Sequence, residues 1–305
     1  MTKEVSIVIV NYNVKDFLLT CITSFEKFHK GKLEYEIIVV DNASTDGSKE
    51  ALKSAFPEIL IIANANNRGF PSANNQGFAI ARGKYIFMLN PDTEFMDDSV
   101  FKLYSYCEAQ VEAMIVAPKL LNTDKTFQQS VWRYPNLRTI FCETHYLNFL
   151  LNHKNYKDKS FDVPFEAESF SGAAIFFRKD ILEMIGDLDE TMFWIEDVEF
   201  CYRAHKAGLK LMYYPQAQII HHIGQSAKKN YTVSLSNQVF NKIKFFRKHY
   251  NKIRWFLVIC LSFYHCLFKL IVFSILSPFS PVFFKKAKAY LYTIPRVFNP
   301  PVGIE

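Results

Sequence analysis

The chain has 305 residues, half of them hydrophobic, which is enough for one large domain or for a domain with a smaller addition. The formal net charge is only +6, and many basic residues fall within residues 228–254, directly before an apolar segment that starts at Trp255. This order favours a membrane flank over a nucleic-acid site. The six cysteines show neither a CxxC pair nor a zinc-like spacing, so we interpret them as reduced thiols in the cytosol.

The first ninety residues alternate between buried strands and amphipathic helices. Residues 5–10 are a continuous run dominated by β-branched side chains, as expected for a strand covered on both faces of a sheet. Since residues 1–4 lead straight into this strand, we expect no cleavable signal peptide. The predicted strands are residues 5–10, 36–40, 59–62 and 85–89, and the predicted helices are residues 14–28, a short segment ending near residue 56, and residues 70–81.

This alternation predicts a parallel sheet with right-handed crossovers, in which ligands bind beyond the carboxyl ends of the strands. Asn11, Asp41 and Asp92 each follow the end of a predicted strand, so we expect them at one edge of the sheet. A carboxylate at the position of Asp92 can bind Mg²⁺ or Mn²⁺, with phosphate oxygens and water completing the ligands. On spacing alone, a simple turn aspartate after Pro91 explains this residue equally well.

The second half of the chain is more mixed. Its predicted strands are residues 113–121, 173–178, 211–214 and 218–221, and its predicted helix is residues 196–207, which Gly208 terminates. Between them, residues 122–168 are irregular and aromatic, which indicates loops and short helices.

The C-terminal region has a different composition. Residues 255–268 contain no charged side chain, Lys269 interrupts the apolar run, and Pro278 and Pro281 should end any helix. A spanning helix needs about 20 apolar residues. Lys269 and His265 therefore favour an interfacial or re-entrant anchor as much as a spanning helix, and a buried core helix remains an alternative. We predict one domain over residues 1–235 and a membrane-associated region over residues 236–305.

Six segments, in this order, resemble family 2 glycosyltransferases, and among them the rhamnosyltransferase-like members most closely. They are SIVIVNYN at residues 6–13, IVVDNASTDGS at 38–48, NRGF at 67–70, LNPD at 89–92, WIEDVEFC at 194–201 and HHIGQS at 221–226. The resemblance implies a GT-A fold, a Rossmann-like and mostly parallel sheet flanked by helices. It also implies a nucleotide-diphosphate sugar donor and inversion at the anomeric carbon.

The resemblance also assigns the donor site. Asp41 would bind the pyrimidine base, Asn11 and Arg68 would lie near the nucleotide, and Asp92 would bind the metal that bridges the diphosphate. Many members carry a second carboxylate where this chain has Asn90, which leaves Asn90 as a weaker donor-site ligand.

Three further assignments complete this site. His221 would be a second metal ligand, chosen over His222 for its spacing from Gly224; a structural or diphosphate-contacting histidine explains it as well. Gly172 would lie beside the donor sugar, although a glycine in a strand turn accounts for it equally. Trp194 would form an aromatic platform for the acceptor, with Glu196 beside it, or else pack in the core.

Asp197 is the predicted general base, which takes the proton of the acceptor hydroxyl as that oxygen attacks the anomeric carbon. The logic resembles that of an inverting glycosidase, with a sugar hydroxyl in place of water. Glu196 and Asp197 open the predicted helix, whose dipole favours the ionised carboxylate and so predicts a base that is not strongly basic. Without the motif, simple capping of the helix explains both carboxylates.

The rival functions are a nucleotidyltransferase and a non-catalytic membrane-associated binding protein. A nucleotidyltransferase shares a nucleotide-binding sheet and a metal carboxylate but would usually open with a glycine-rich loop, and residues 5–20 contain no glycine. The same absence argues against dinucleotide-dependent and P-loop enzymes. A non-catalytic membrane-associated binding protein would not need both Asp92 and Asp197. The resemblance implies deoxythymidine-diphosphate rhamnose as the donor. The basic flank before the apolar tail indicates a glycan or lipid-linked acceptor at the cytoplasmic face of the inner membrane. The sequence predicts no particular oligomeric state.

Overall fold

The computed structural model describes residues 3–110, 112, 114–145, 147, 156, 159–222 and 231–300. The predicted motif positions 223–226 lie outside these residues, as do the first basic positions, 228 and 229. The elements are β1 Val5–Asn11, α1 Lys15–His29, β2 Tyr35–Asp41, α2 Ser48–Ala55, β3 Leu60–Ala63, α3 Phe70–Ile80, β4 Tyr85–Leu89, β5 Thr93–Phe95, α4 Ser99–Glu108, β6 Met114–Leu121, β7 Val131–Trp132, α5 Leu137–Thr144, β8 Phe165–Glu166, β9 Ser169–Phe170, β10 Ala174–Arg178, α6 Ile181–Ile185, α7 Glu196–Lys206, β11 Lys210–His221, α8 Tyr231–His249, α9 Lys252–Leu276 and α10 Pro281–Thr293.

The chain forms two compact units. The first, here the sheet unit, comprises Met1–Arg133, Lys159–Glu190 and Glu196–Ser226. The second, here the helical unit, comprises Tyr134–Asp158, Thr191–Ile195 and Ala227–Glu305. The domain boundary after residue 235 falls within α8 and stays a prediction.

The sheet unit is built on one sheet with the strand order β3-β2-β1-β4-β10-β6-β11-β5, and β8 pairs with β11. The four strands β3, β2, β1 and β4 are parallel, as the alternating pattern predicts, and β1 and β4 are buried along their whole length. β10 is antiparallel to both β4 and β6, so the sheet as a whole is mixed. Because β1 lies between β2 and β4, the carboxyl ends of these three strands share one edge.

The predicted strands at residues 211–214 and 218–221 are confirmed, but they form one longer strand, β11, whose pairing with β6 shifts register between Tyr214 and Gln218. Pro215, which lacks the N–H that a regular ladder needs, lies in this irregular stretch.

The helix α9 runs through Lys269, since lysine is a good helix former, and it ends before Pro278 as predicted. A short 3₁₀ turn, Ser277–Phe279, follows α9. Pro281 opens α10 rather than ending a helix, since its missing N–H costs nothing in the first turn.

The helical unit contains α5, α8, α9 and α10, which pack on one another. Among the described residues, one helical segment, Lys252–Phe279, is long and apolar enough by composition to cross a membrane. Its polarity is partly inverted, because polar as well as apolar side chains are buried and its exposed surface is largely apolar. Ser262, Cys266 and Lys269 of α9 are buried inside the unit. Its exposed residues include Ile253, Phe256, Leu257, Tyr264, Leu267, Ile271 and Ile275.

In the sheet unit, α3 approaches β1 closely because position 77 has no side chain. A Cβ at Gly77 would lie 2.3 Å from Cγ1 of Val8 and 3.5 Å from Cγ2 of Val40. Gly77 therefore sets the distance between this helix and the centre of the sheet.

We expect Gly77→Ala to destabilise the fold, because the clash with Val8 costs about 1–3 kcal/mol and outweighs the better helix propensity of alanine, about 1 kcal/mol. In the double variant with Val8→Ala the clash disappears, so the two effects should couple favourably by about 1 kcal/mol or more. Urea unfolding of the four proteins measures this coupling. Simple additivity would show that α3 does not contact β1 through this position.

Candidate active site

The donor edge of the sheet is formed by the carboxyl ends of β1 and β2. Asn11 and Asp41 are directly paired in the ladder. Nδ2 of Asn11 donates to Oδ2 of Asp41 at 2.9 Å and to Oγ of Ser44 at 3.0 Å, while Oδ1 of Asp41 accepts the Ser44 N–H at 3.0 Å. Oδ1 of Asn11 is buried and has no donor among the described residues. Each Asp41 oxygen thus keeps acceptor capacity, which suits the base N–H that the sequence assigns to it.

Asn42, which the sequence analysis overlooked, holds the next loop in place. Its Oδ1 accepts the backbone N–H of Arg68 at 2.9 Å, and its Nδ2 donates to Oδ1 of Asn67 at 2.7 Å. The side chain of Arg68 is exposed and contacts no carboxylate among the described residues. Asn42 therefore fixes the backbone of Arg68 to the residue that follows Asp41, and leaves the Arg68 side chain exposed. The sequence could have identified Asn42 as a site residue, because it directly follows Asp41 in the motif.

Asp92 lies in the turn after β4 and is almost buried, and its carboxylate meets His221 at the end of β11. Nε2 of His221 is 3.3 Å from Oδ1 of Asp92, and Nδ2 of Asn90 is 3.4 Å from the same nitrogen. His222 points elsewhere, with its Nε2 3.1 Å from Oε2 of Glu94. The structure therefore brings the imidazole of His221, and not that of His222, to the Asp92 carboxylate. His222 meets Asp92 through its backbone, whose N–H donates to the Asp92 carbonyl at 2.8 Å.

Gln128 determines which nitrogen of His221 carries the proton. Nε2 of Gln128 donates to the backbone oxygen of His221 at 2.9 Å and to Oδ1 of Asn122 at 3.1 Å. Its Oε1 therefore faces Nδ1 of His221, at 2.8 Å. An amide oxygen can only accept, so Nδ1 carries a proton, and Nε2 is the nitrogen that can bind a metal. No motif marked Gln128, since it lies in the irregular segment of the sequence.

The pair formed by Asp92 and His221 fits a divalent cation. Oδ1 of Asp92 and Nε2 of His221 lie 3.3 Å apart, close enough to bind the same cation. Carboxylate and imidazole together suit Mn²⁺. Among the described residues, no group of three or more His, Cys, Asp or Glu side chains could enclose a metal. Further ligands would then be phosphate oxygens and water, as is usual for Mg²⁺ and related cations.

Asp197 opens α7 and is only partly exposed. Its Oδ2 accepts the N–H of Gly172 and its Oδ1 accepts the N–H of Val198, both at 2.7 Å. Burial raises the pKa of Asp197 to about 6, although these two hydrogen bonds act in the opposite direction. The expectation that the helix dipole would keep this carboxylate weakly basic is therefore wrong, because loss of water outweighs the dipole.

A short backbone bridge connects Asp197 to the metal-site turn. The N–H of Asn90 donates to the carbonyl of Ala173 at 2.8 Å, and the N–H of the adjacent Gly172 holds Asp197. A Cβ at Gly172 would lie 3.4 Å from Oδ2 of Asp197, so a glycine leaves this approach unhindered. The predicted role of Gly172 at the donor sugar stays a prediction, while its contact with Asp197 is direct.

Two predicted acceptor residues precede Asp197. Glu196 is buried at the start of α7. Trp194, in the helical unit, is 40% exposed and has a φ of 85°, a strained conformation for a bulky residue. Such strain is typical of functional positions, and an exposed indole is a suitable surface for a sugar. Their roles in acceptor binding stay predictions.

Several known proteins are similar in sequence to this chain. Over 107 residues the chain is 33% identical to a poly(ribitol-phosphate) β-glucosyltransferase of Bacillus spizizenii, a match that covers 34% of this chain and 17% of that protein. Over 212 residues it is 23% identical to the N-acetylglucosaminyl-diphospho-decaprenol L-rhamnosyltransferase of Mycobacterium tuberculosis, covering 64% of this chain and 68% of that one.

Among solved structures, the mannosyltransferase PcManGT of Pyrobaculum calidifontis, in complex with GDP-Man and Mn²⁺, superimposes with a TM-score of 0.58. The sequence identity is 14%, and the match covers 98% of this chain and 88% of that structure. This likeness establishes the GT-A fold. Residues 6–186 match the family described as Glycosyl transferase family 2. The match spans more than half of the chain and includes β1, β2, β4 and Asp92, and the chain belongs to glycosyl transferase family 2.

Proposed function

We propose that the chain is an inverting glycosyltransferase that moves a sugar from a nucleotide-diphosphate donor to a hydroxyl of a glycan or lipid-linked acceptor. The observation that carries this proposal is the connection of two chemically different centres. The Asp92–His221 pair and the raised-pKa carboxylate of Asp197 lie at the two ends of the bridge formed by Asn90, Ala173 and Gly172. One centre suits a leaving diphosphate and the other suits an incoming hydroxyl.

In the proposed reaction, the acceptor oxygen forms a bond to the anomeric carbon as the bond from that carbon to the diphosphate breaks. Oδ1 or Oδ2 of Asp197 takes the hydroxyl proton, and the N–H groups of Gly172 and Val198 hold the carboxylate in position. A divalent cation, Mg²⁺ or Mn²⁺, held by Asp92 and His221 would stabilise the negative charge of the departing diphosphate. Asn11, Asp41 and Arg68 would bind the nucleotide.

The donor we favour is deoxythymidine-diphosphate rhamnose, and the acceptor we favour is lipid-linked. The relative from Mycobacterium tuberculosis is named for L-rhamnosyl transfer to a diphospho-decaprenol acceptor, which supports both choices. The partly inverted polarity of α9 supports a location on the membrane, with its apolar side against lipid. We place the helical unit, with residues 236–305, on the cytoplasmic face of the inner membrane, where nucleotide sugars are available.

The proposed activity is tested by mass spectrometry with a panel of nucleotide sugars and lipid-linked acceptors, with Mn²⁺ or with EDTA. We expect one donor to give a glycolipid heavier by one sugar, and EDTA to abolish its formation. Asp197→Asn should lower kcat by about 10²–10⁴ with little change in nucleotide binding. Asp180→Asn, at an exposed aspartate of the same unit, is the matched control. Wild-type turnover by Asp197→Asn would contradict the assignment of Asp197 as the base. Activity that EDTA does not lower would contradict the role of a metal.

The raised pKa of Asp197 predicts an acidic limb in the pH profile. The base must be ionised, so kcat/KM should be constant above pH 7 and should fall tenfold per pH unit below about 6. An aspartate with the ordinary pKa of 3.8 would place this acidic limb about two pH units lower. The folded protein holds this proton more tightly than the unfolded chain does, so stability should decrease as pH rises from 3.8 to about 6. Asp197→Asn should lose that dependence, which thermal unfolding across this pH range would measure.

Gln128 is proposed as a positioning residue for the metal. Gln128→Leu removes the acceptor for Nδ1 of His221, so ¹⁵N NMR of labelled histidine should show the proton moving partly to Nε2. Affinity for Mn²⁺ without donor should fall about 10–100-fold. Gln128→Glu, which keeps an acceptor at this position, should retain the Nδ1–H form. Gln129→Leu, at the neighbouring residue that does not contact His221, is the matched control. An unchanged tautomer in Gln128→Leu would contradict this role.

A further inference from the structure

The helical unit contains a cavity of about 320 Å³ between α5, α8, α9 and α10. Its polar lining includes Glu143, Lys242, Ser262, His265, Lys269 and Lys286. Since a water molecule occupies about 30 Å³ of liquid, this volume can hold a group such as a diphosphate together with the first carbons of a chain. The cavity belongs to a unit that supplies none of the metal-site or general-base residues described above.

The lining of this cavity carries an excess of positive charge. Three lysines and one carboxylate are found among its described residues, and Nζ of Lys242 lies 2.7 Å from Oε2 of Glu143. Lys269, on the buried side of α9, is only 4% exposed. Nζ of Lys286 lies 5.0 Å from the ring centre of Phe273, on a wall of the same cavity. Buried ammonium groups are stabilised by neighbouring anions, and the described lining has more lysines than carboxylates.

The remaining walls of the cavity are apolar. Ile140, Leu235, Val239 and Phe273 line it beside the lysines. Outside the cavity, the exposed surfaces of α9 and α10 are also apolar, with Phe256, Ile271, Ile275, Val282, Phe284 and Leu291 all at least half exposed. The exposed surfaces of water-soluble helix bundles are mostly polar. Here a cavity lined by three lysines lies behind an exposed surface that is largely apolar.

We propose that this cavity binds the phosphate or diphosphate group of a lipid, with the apolar chain of that lipid directed to the exposed face of α9 and α10. The ammonium groups of Lys242, Lys269 and Lys286 would bind the phosphate oxygens, and Phe273 would contact the first carbons of the chain. This site goes beyond the sugar transfer proposed for the sheet unit, because lipid binding requires neither donor nor metal.

Binding of three probes to the full chain, without nucleotide sugar or metal, tests this site by calorimetry. They are farnesyl diphosphate, inorganic diphosphate and farnesol, which separate the anion from the apolar chain. We expect farnesyl diphosphate to bind at least tenfold more tightly than either of the other two. Lys269→Met, which keeps most of the side-chain volume, should lose that binding tenfold or more. Lys288→Met, at an exposed lysine of α10, changes the net charge equally and should bind as the wild type does.

Lys286→Met is a second variant on a less buried lysine, which keeps the test valid if Lys269→Met does not fold. Equal losses in the cavity and surface variants would overturn the proposal, since they would show a general effect of surface charge. Inorganic diphosphate bound as tightly as farnesyl diphosphate would also overturn it, because the cavity would then be a site for free anions.

Sedimentation with vesicles distinguishes the two sources of lipid phosphate. Phosphatidylcholine vesicles would contain either phosphatidylglycerol or a polyisoprenyl diphosphate, at equal total charge. Lys269-dependent binding to the polyisoprenyl vesicles alone would assign the cavity to acceptor-type lipids, and Lys269-dependent binding to both would assign it to lipid phosphate in general. Binding to both that does not depend on Lys269 would contradict the site. A failure of sugar transfer would leave these outcomes unaffected, because no donor is present.

Discussion

The active site depends on the parallel register of three strands. Val5–Asn11 pairs residue by residue with Tyr35–Asp41 on one side and with Tyr85–Leu89 on the other. All three strands are buried over almost their whole length, so most of their side chains are apolar. Near their amino ends, the buried Glu36 accepts a hydrogen bond from Ser6 and pairs with Arg82. Asn11 and Asp41 stand at the carboxyl ends of their strands. Parallel direction brings these ends to one edge. The positions of Asn11, Asp41 and the Asp92 turn are therefore a consequence of sheet topology.

The antiparallel strand β10 continues this edge of the sheet toward Asp197. Its first residue pairs with Leu89, the last residue of β4. The residues just before it, Gly172 and Ala173, consequently meet both the Asn90 turn and the start of α7. Asp197 owes its raised pKa to burial at this junction, while two backbone N–H groups limit the rise. The same junction of β10, the Asn90 turn and α7 thus determines both the position of this carboxylate and its affinity for a proton.

The helical unit shows a different balance of forces. In α9, the polar residues Ser262 and Lys269 face inward together with several apolar residues, while other large apolar residues face outward. Removal of apolar surface from water therefore does not by itself explain the orientation of this helix. Lipid against the outer surface and an anion within the cavity would make the arrangement favourable. The composition of residues 255–268 predicted an apolar anchor, but periodicity alone could not show which side of the helix encloses Lys269.

By itself, the sequence determined the first four parallel strands, their helices, the family and the residues Asn11, Asp41, Asp92 and Asp197, because burial patterns and motifs are local properties of a chain. The tertiary structure decided that His221 rather than His222 meets Asp92, that Gln128 sets its tautomer, and that burial outweighs the helix dipole at Asp197. These outcomes depend on residues 25 to 131 positions apart, and on loss of water that no local pattern records.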